Sequence, residues 1–144
     1  MSTVSANPTR AIVEAYVAAL QCGDESAIRD SFTEDAEWTL TGELPLSGTW
    51  KGRDVIFEEF LGGALASYAP GSISFEVTEL VADGDTAAME WITRGRSHAG
   101  APYENRYLGL FKIRDGRIAS IREYLASAAA AQALFGRTLG PPCT

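Results

Sequence analysis

Apolar residues recur at helical spacing in the first half of the chain and alternate with polar ones in the second. Ile12, Val13, Tyr16, Val17 and Leu20 share one helical face. Asn7-Pro8 supplies an N-cap and a first helical residue, and Gly23 a stop. Asp24 caps a short second helix carrying Ala27, Ile28 and Phe32. Residues 36–40 read as extended, and the Gly-, Pro- and Ser-rich residues 42–52 as a loop. Residues 53–68 predict a third helix with Ile56, Phe57, Phe60 and Leu61 on one side, weakened in its second half by Gly62-Gly63.

From Ser72 the period is two. Ile73, Phe75 and Val77 alternate with Ser74, Glu76 and Thr78, and the phase slips at Glu79-Leu80 as a β-bulge would make it. Asp83-Gly84 and Asp115-Gly116 are hairpin turns. They bound long strands over residues 86–97, 103–113 and 117–125. Long antiparallel strands on tight turns make a curved meander, and helices ahead of such a sheet give an α+β fold with helices on one face. The Ala-rich residues 127–134 read as a short C-terminal helix, followed by a loose tail from about residue 136.

Composition narrows the classes. One domain over residues 1–144 is the natural expectation for this length. Apolar residues at 46% and charged residues at 22% exclude disorder as a description of the whole chain. No apolar run is long enough for a membrane span, and residues 1–7 lack the pattern of a signal peptide, so a cytoplasmic location is expected. With 12 Lys plus Arg against 19 Asp plus Glu, the net charge is −7, and a nucleic-acid partner is not expected. Cys22, Cys143 and the single histidine, His98, cannot make the usual four-ligand zinc site.

Several segments, taken with the order of elements, carry a resemblance. They are Ala15-Tyr-Val-Ala-Ala-Leu20 with Gly23-Asp24, Phe32-Thr-Glu-Asp-Ala36, Gly52-Arg-Asp-Val55, residues 109–118, Ile121-Arg-Glu-Tyr124 and residues 133–140. The chain resembles the NTF2-like superfamily, and within it the SnoaL-like, ketosteroid isomerase-like and limonene-epoxide hydrolase-like group. The resemblance implies a cone: a strongly curved mixed sheet wrapped around three N-terminal helices, with an apolar cavity open at one end. It also implies small apolar ligands, frequent homodimers, and no metal or organic cofactor. Chemistry differs among such relatives, so function rests on the site.

Matched to the hydrolases, the strand parity points Asn105, Tyr107, Gly109, Ile121 and Glu123 inward. The same register points Glu90, Ile92 and Arg94 inward, whereas a slip around Gly100 would instead bring Met89, Trp91 and Thr93. Tyr16, Trp38, Leu40, Phe57, Phe60 and Leu61 complete the wall. Glu123 matches the hydrolases' acidic residue, and an apolar cavity would raise its pKa toward neutrality. Glu90 would be a second carboxyl and Arg94 its orienting cation. Tyr16 matches the isomerases' helix-1 tyrosine, a donor to a developing oxyanion. The pattern also breaks. Leu40 stands where the isomerases carry their base, Leu108 or Gly109 where they carry a second acid, and Glu90 and Ile92 where the hydrolases complete their triad.

Two readings follow. The first is an acid–base enzyme (isomerase, cyclase, dehydratase or epoxide hydrolase type) acting on a polyketide-, terpenoid- or steroid-like molecule. The second is a non-catalytic ligand-binding or dimerising module.

Overall fold

The caps define the first two helices. The computed structural model describes residues 7–125 and Leu134. Helix α1 spans Pro8–Cys22; the Asn7 side chain accepts from the Thr9 amide at 2.8 Å, and Gly23 takes the left-handed φ of 70° that ends it. Helix α2, Glu25–Asp30, opens on the Asp24 carboxylate, which accepts from the Ala27 amide at 3.1 Å. The third helical stretch, α3, joins α-helical Arg53–Val55, π-helical Ile56–Leu61 and α-helical Gly62–Leu65. It stops short of the expected residue 68.

The strands are β1 (Phe32–Leu40), β2 (Gly48–Lys51), β3 (Ser74–Asp83), β4 (Thr86–Arg96), β5 (Pro102–Arg114) and β6 (Arg117–Leu125). They form one open sheet in the order β2-β1-β6-β5-β4-β3. Only the β1–β6 pair is parallel, so the sheet is mixed. Strand β2 corrects the sequence reading, which made residues 42–52 a loop throughout. Its four residues are too few to show a period, and they are ordered by pairing with β1 from Glu37 to Leu40. The β3 irregularity falls between Val77 and Glu79, next to the expected slip, and makes Thr78 the extra residue. The expected C-terminal helix and tail lie outside the described residues, apart from Leu134.

The register between β4 and β5 decides which side chains face the helices. Met89 pairs with Gly109, Trp91 with Tyr107 and Thr93 with Asn105. Directly paired residues share a face. The concave face therefore carries Met89, Trp91 and Thr93, and the expectation that Glu90, Ile92 and Arg94 point inward is corrected. These three lie on the outer face. Glu90 takes a 2.8 Å hydrogen bond from Thr78 and a 3.3 Å contact from Arg106. Arg94 bridges Glu76 at 2.7 Å and Glu104 at 2.8 Å. Ile92 lies between the Glu76 and Arg106 positions.

The core sits between the helices and the concave sheet. Val13, Phe32, Ile56, Phe111, Ile118 and Ile121 are its largest fully buried side chains. Tyr16 meets Phe32 edge to face at 5.3 Å, tying α1 to β1. Among the described residues, no helix is long and apolar enough to cross a membrane.

Candidate active site

A cavity of about 280 Å³ opens beside this core, near the lower end of the roughly 300–1,000 Å³ usual for small-molecule sites. Tyr16 and Leu20 of α1, Trp38 and Leu40 of β1, and Phe60 and Leu61 of α3 form one side. Met89, Trp91 and Thr93 of β4 and Tyr107 and Phe111 of β5 form the other. The π-helical stretch places Phe60 and Leu61 together on this wall while Ile56, at its start, is fully buried. Such irregular turns recur at functional sites because they re-aim side chains within a helix.

Gly109 leaves room for the aromatic wall. A Cβ there would stand 2.9 Å from Trp91 and 3.0 Å from Phe111. Without it, the Trp91 indole lies flat on the Tyr107 ring, with centroids 5.3 Å apart and an interplanar angle of 5°. The inner face thereby becomes a smooth aromatic plate.

Glu123 is the carboxylate of this cavity. It is 8% exposed and lines the apolar space. Burial disfavours the charged form and pushes its pKa up from 4.5 to about 7, although the hydrogen bond from Trp38 acts in the opposite direction. That bond runs from Trp38 Nε1 to Glu123 Oε1 at 3.1 Å. It follows from the parallel pairing that sets Trp38 beside Ile121 and Leu40 beside Glu123. The Glu123 backbone is fixed as well, its carbonyl accepting from both the amide and the hydroxyl of Thr41 at 3.0 Å.

Tyr16 is buried and lines the same cavity as this carboxyl. Burial, and secondly the charge of Glu123, raise its phenol well above the ordinary range, so it remains a neutral donor. A second phenol group occupies another part of the wall. Tyr103 and Tyr107 share a short hydrogen bond, and Asn105 Nδ2 donates to the Tyr103 oxygen at 3.1 Å. The Tyr68 hydroxyl lies within hydrogen-bonding reach of both partners. Desolvation raises all three phenols.

Of the residues singled out from sequence, Glu123, Tyr16, Trp38, Leu40, Phe60, Leu61 and Tyr107 meet at the cavity. Three others have structural positions instead. Phe57 packs edge-on against Phe32 at 5.3 Å beneath the Arg29 guanidinium, Ile121 belongs to the core, and Asn105 stands behind Tyr103. Glu90, Ile92 and Arg94 are on the far side of the sheet. Sequence reasoning missed Tyr68 and Tyr103. Tyr103 was legible through its alternation with Asn105 and Tyr107; Tyr68, held by a single bridge to Ser97, had no periodic signal.

The comparisons with known proteins agree with this fold. The sequence profile of the SnoaL-like domain matches residues 13–121. The chain belongs to the SnoaL-like domain family. Solved structures place this SnoaL-like chain in the NTF2-like superfamily. An NTF2-like protein from Burkholderia xenovorans LB400 is 25% identical, with a TM-score of 0.72 over 92% of this chain and 99% of that one. TerC, co-crystallised with polyporic acid, is 20% identical, with a TM-score of 0.78 over 90% and 99%. A protein of ketosteroid isomerase-like fold from Catenulispora acidiphila DSM 44928, in complex with trimethylamine, is 19% identical, with a TM-score of 0.70 over 86% and 92%. No curated protein matches the sequence.

Proposed function

We propose that this SnoaL-like chain is a cofactor-independent enzyme that moves a proton on a small, largely apolar molecule carrying a carbonyl oxygen. One observation carries the reading: a buried carboxyl, held near neutrality, facing an apolar cavity. A carboxyl with a pKa near the working pH is present in both protonation states and serves as base and then acid. In its ionised form, Glu123 removes a proton from the carbon next to the carbonyl. Charge moves to the substrate oxygen, where Tyr16, a neutral phenol lining the same cavity, donates a hydrogen bond. Return of the proton from Glu123 to another carbon completes an isomerisation; alternatively, attack of the carbanion on a second carbonyl closes a ring, and the alkoxide so formed takes the proton back from Glu123.

Epoxide opening fits less well. It would draw on a second acid and a cation, and Glu90 and Arg94 are engaged on the outer face. The same reading takes the chain as a cytoplasmic homodimer without a nucleic-acid or membrane partner. Its acidic balance supports the absence of nucleic acid. Leu108 and Tyr124, paired across β5 and β6 and 43% and 42% exposed, support a second copy on the outer sheet face.

A second reading, a ligand-binding module without turnover, is favoured by the same outward placement of Glu90, which leaves Glu123 without a partner carboxyl. A thermal-shift screen of enones, aromatic polyketides, steroids, epoxides and polyporic acid separates the two. It is run on wild type and Glu123→Gln, and each stabilising compound is followed by mass spectrometry. Conversion by wild type and binding alone by Glu123→Gln supports the enzyme; equal binding without conversion supports the module.

A further inference from the structure

The proposed proton transfer uses Glu123 and Tyr16 and leaves the Tyr68, Tyr103 and Tyr107 cluster without a task. Three phenols crowded into an apolar wall are costly unless their O–H groups are satisfied. The Asn105 end of this network has a fixed direction. Asn105 Oδ1 accepts from the Arg106 backbone amide at 2.9 Å, which fixes the orientation of the side-chain amide. Its Nδ2 therefore faces Tyr103 and donates to the phenol oxygen. The Tyr103 oxygen keeps a second lone pair and its own O–H, so either phenol can donate in the short bond it shares with Tyr107. The chain then runs outward from Asn105, through Tyr103, to Tyr107 and Tyr68.

Tyr103 and Asn105 stand behind the wall, whereas Tyr107 and Tyr68 line the cavity. Tyr68 lies within reach of both other phenols, so with the cavity empty its O–H closes on Tyr103 or Tyr107 at the cavity surface. An entering oxygen takes it instead. Each hydroxyl polarises the next, so the terminal donor is stronger than an isolated phenol.

We infer that Tyr68 and Tyr107, aligned by Tyr103 and Asn105, form a second oxygen-binding site in the cavity, specific for a hydrogen-bond-accepting carbonyl or enolate oxygen. The substrate class is thereby sharpened. It is an apolar body bearing two oxygens, one turned to Tyr16 and Glu123 and the other to the phenol cluster, with rings lying along the Trp91–Tyr107 plate. The inference rests on the cavity of the proposed function and is separable from the role of Glu123, because its test needs no turnover.

The test uses isotope-labelled α-tetralone, an acceptor without a donor, against tetralin, the same skeleton without oxygen. At a pH of about 9 a carboxyl titrating near 7 is ionised and cannot donate to the ketone. In wild type the bound carbonyl stretch has a component moved to lower wavenumber, and α-tetralone binds more tightly than tetralin. Tyr68→Phe and Tyr107→Phe each reduce that component and weaken α-tetralone binding by about threefold to tenfold, the scale of one neutral hydrogen bond, while tetralin binds as before. Tyr16→Phe leaves the component in place. Tyr103→Phe, which acts through its neighbours, shrinks the band shift without abolishing it. The inference is overturned if Tyr68→Phe and Tyr107→Phe leave the band unmoved, if Tyr16→Phe alone removes it, or if wild type shows no preference for the ketone. Melting curves of all four variants confirm that a folded protein is being read.

Discussion

Trp38 donates a hydrogen bond of 3.1 Å from its indole nitrogen to the Glu123 carboxylate, across the one parallel strand pair of the sheet. The bond stabilises the charged form, so it lowers a pKa that burial raises. Trp38→Phe removes the donor and keeps the ring. It is expected to raise the Glu123 pKa further, by about one unit, the scale of a hydrogen bond to a charged group. A carboxyl titration by carbon NMR checks the direction; a fall would show that desolvation is not the controlling effect.

Glu123 also leaves a mark on stability. Its pKa is 4.5 in the unfolded chain and about 7 in the fold, so between these values the folded state holds a proton that the unfolded state has lost. Stability is fully retained below the lower value and falls as pH rises through the window to the upper one. The loss approaches about 3 kcal/mol at completion. Glu123→Gln, neutral at every pH, should flatten this slope and be more stable than wild type at alkaline pH. Denaturant melts at several pH values measure it; parallel curves for the two proteins would count against a buried, protonated Glu123.

Gly109→Ala tests the aromatic plate. The new methyl would press on Trp91 and Phe111 at 2.9 and 3.0 Å, and these rings would have to shift within the cavity wall they form. Overpacking of this kind costs about 1–3 kcal/mol. Urea unfolding followed by tryptophan fluorescence reads both the loss and the displacement of Trp91. A variant of wild-type stability would mean that the cavity yields more easily than the contacts imply.

The outer face should be nearly silent. Arg94 bridges Glu76 and Glu104 with its side chain 44% exposed, and Glu90 meets Arg106 at 39% exposure. Exposed pairs of this kind contribute about 0–1 kcal/mol. Arg94→Ala and Glu90→Gln are expected to leave ligand binding unchanged and to shift the melting midpoint only slightly. A lost ligand in either variant would return these residues to the site.

Much of this was legible before any coordinates. The caps at Asn7, Gly23 and Asp24 bound the first two helices because capping is local chemistry. The inward parity of Tyr107 and Glu123 came from matching to the hydrolase pattern, carried along strands long enough to keep one alternation. The face of β4 did not, because parity within a strand says nothing about its phase against a neighbour. A register carried over from relatives put Glu90 and Arg94 inside, whereas the alternation itself, Ala87, Met89 and Trp91 against Glu90 and Arg94, already separated an apolar face from a charged one. Tyr68 was out of reach because a single bridge, and no periodic element, positions it.

The central claim is that Glu123 is a carboxyl poised near neutrality inside an apolar cavity. Isotope labelling of glutamate carboxyls, with Glu123→Gln to assign the signal, follows that one group through a pH titration of the wild-type protein. The account predicts an inflection near pH 7. An inflection near 4.5, the value of a glutamate in water, would contradict it and return Glu123 to the ranks of ordinary strand residues.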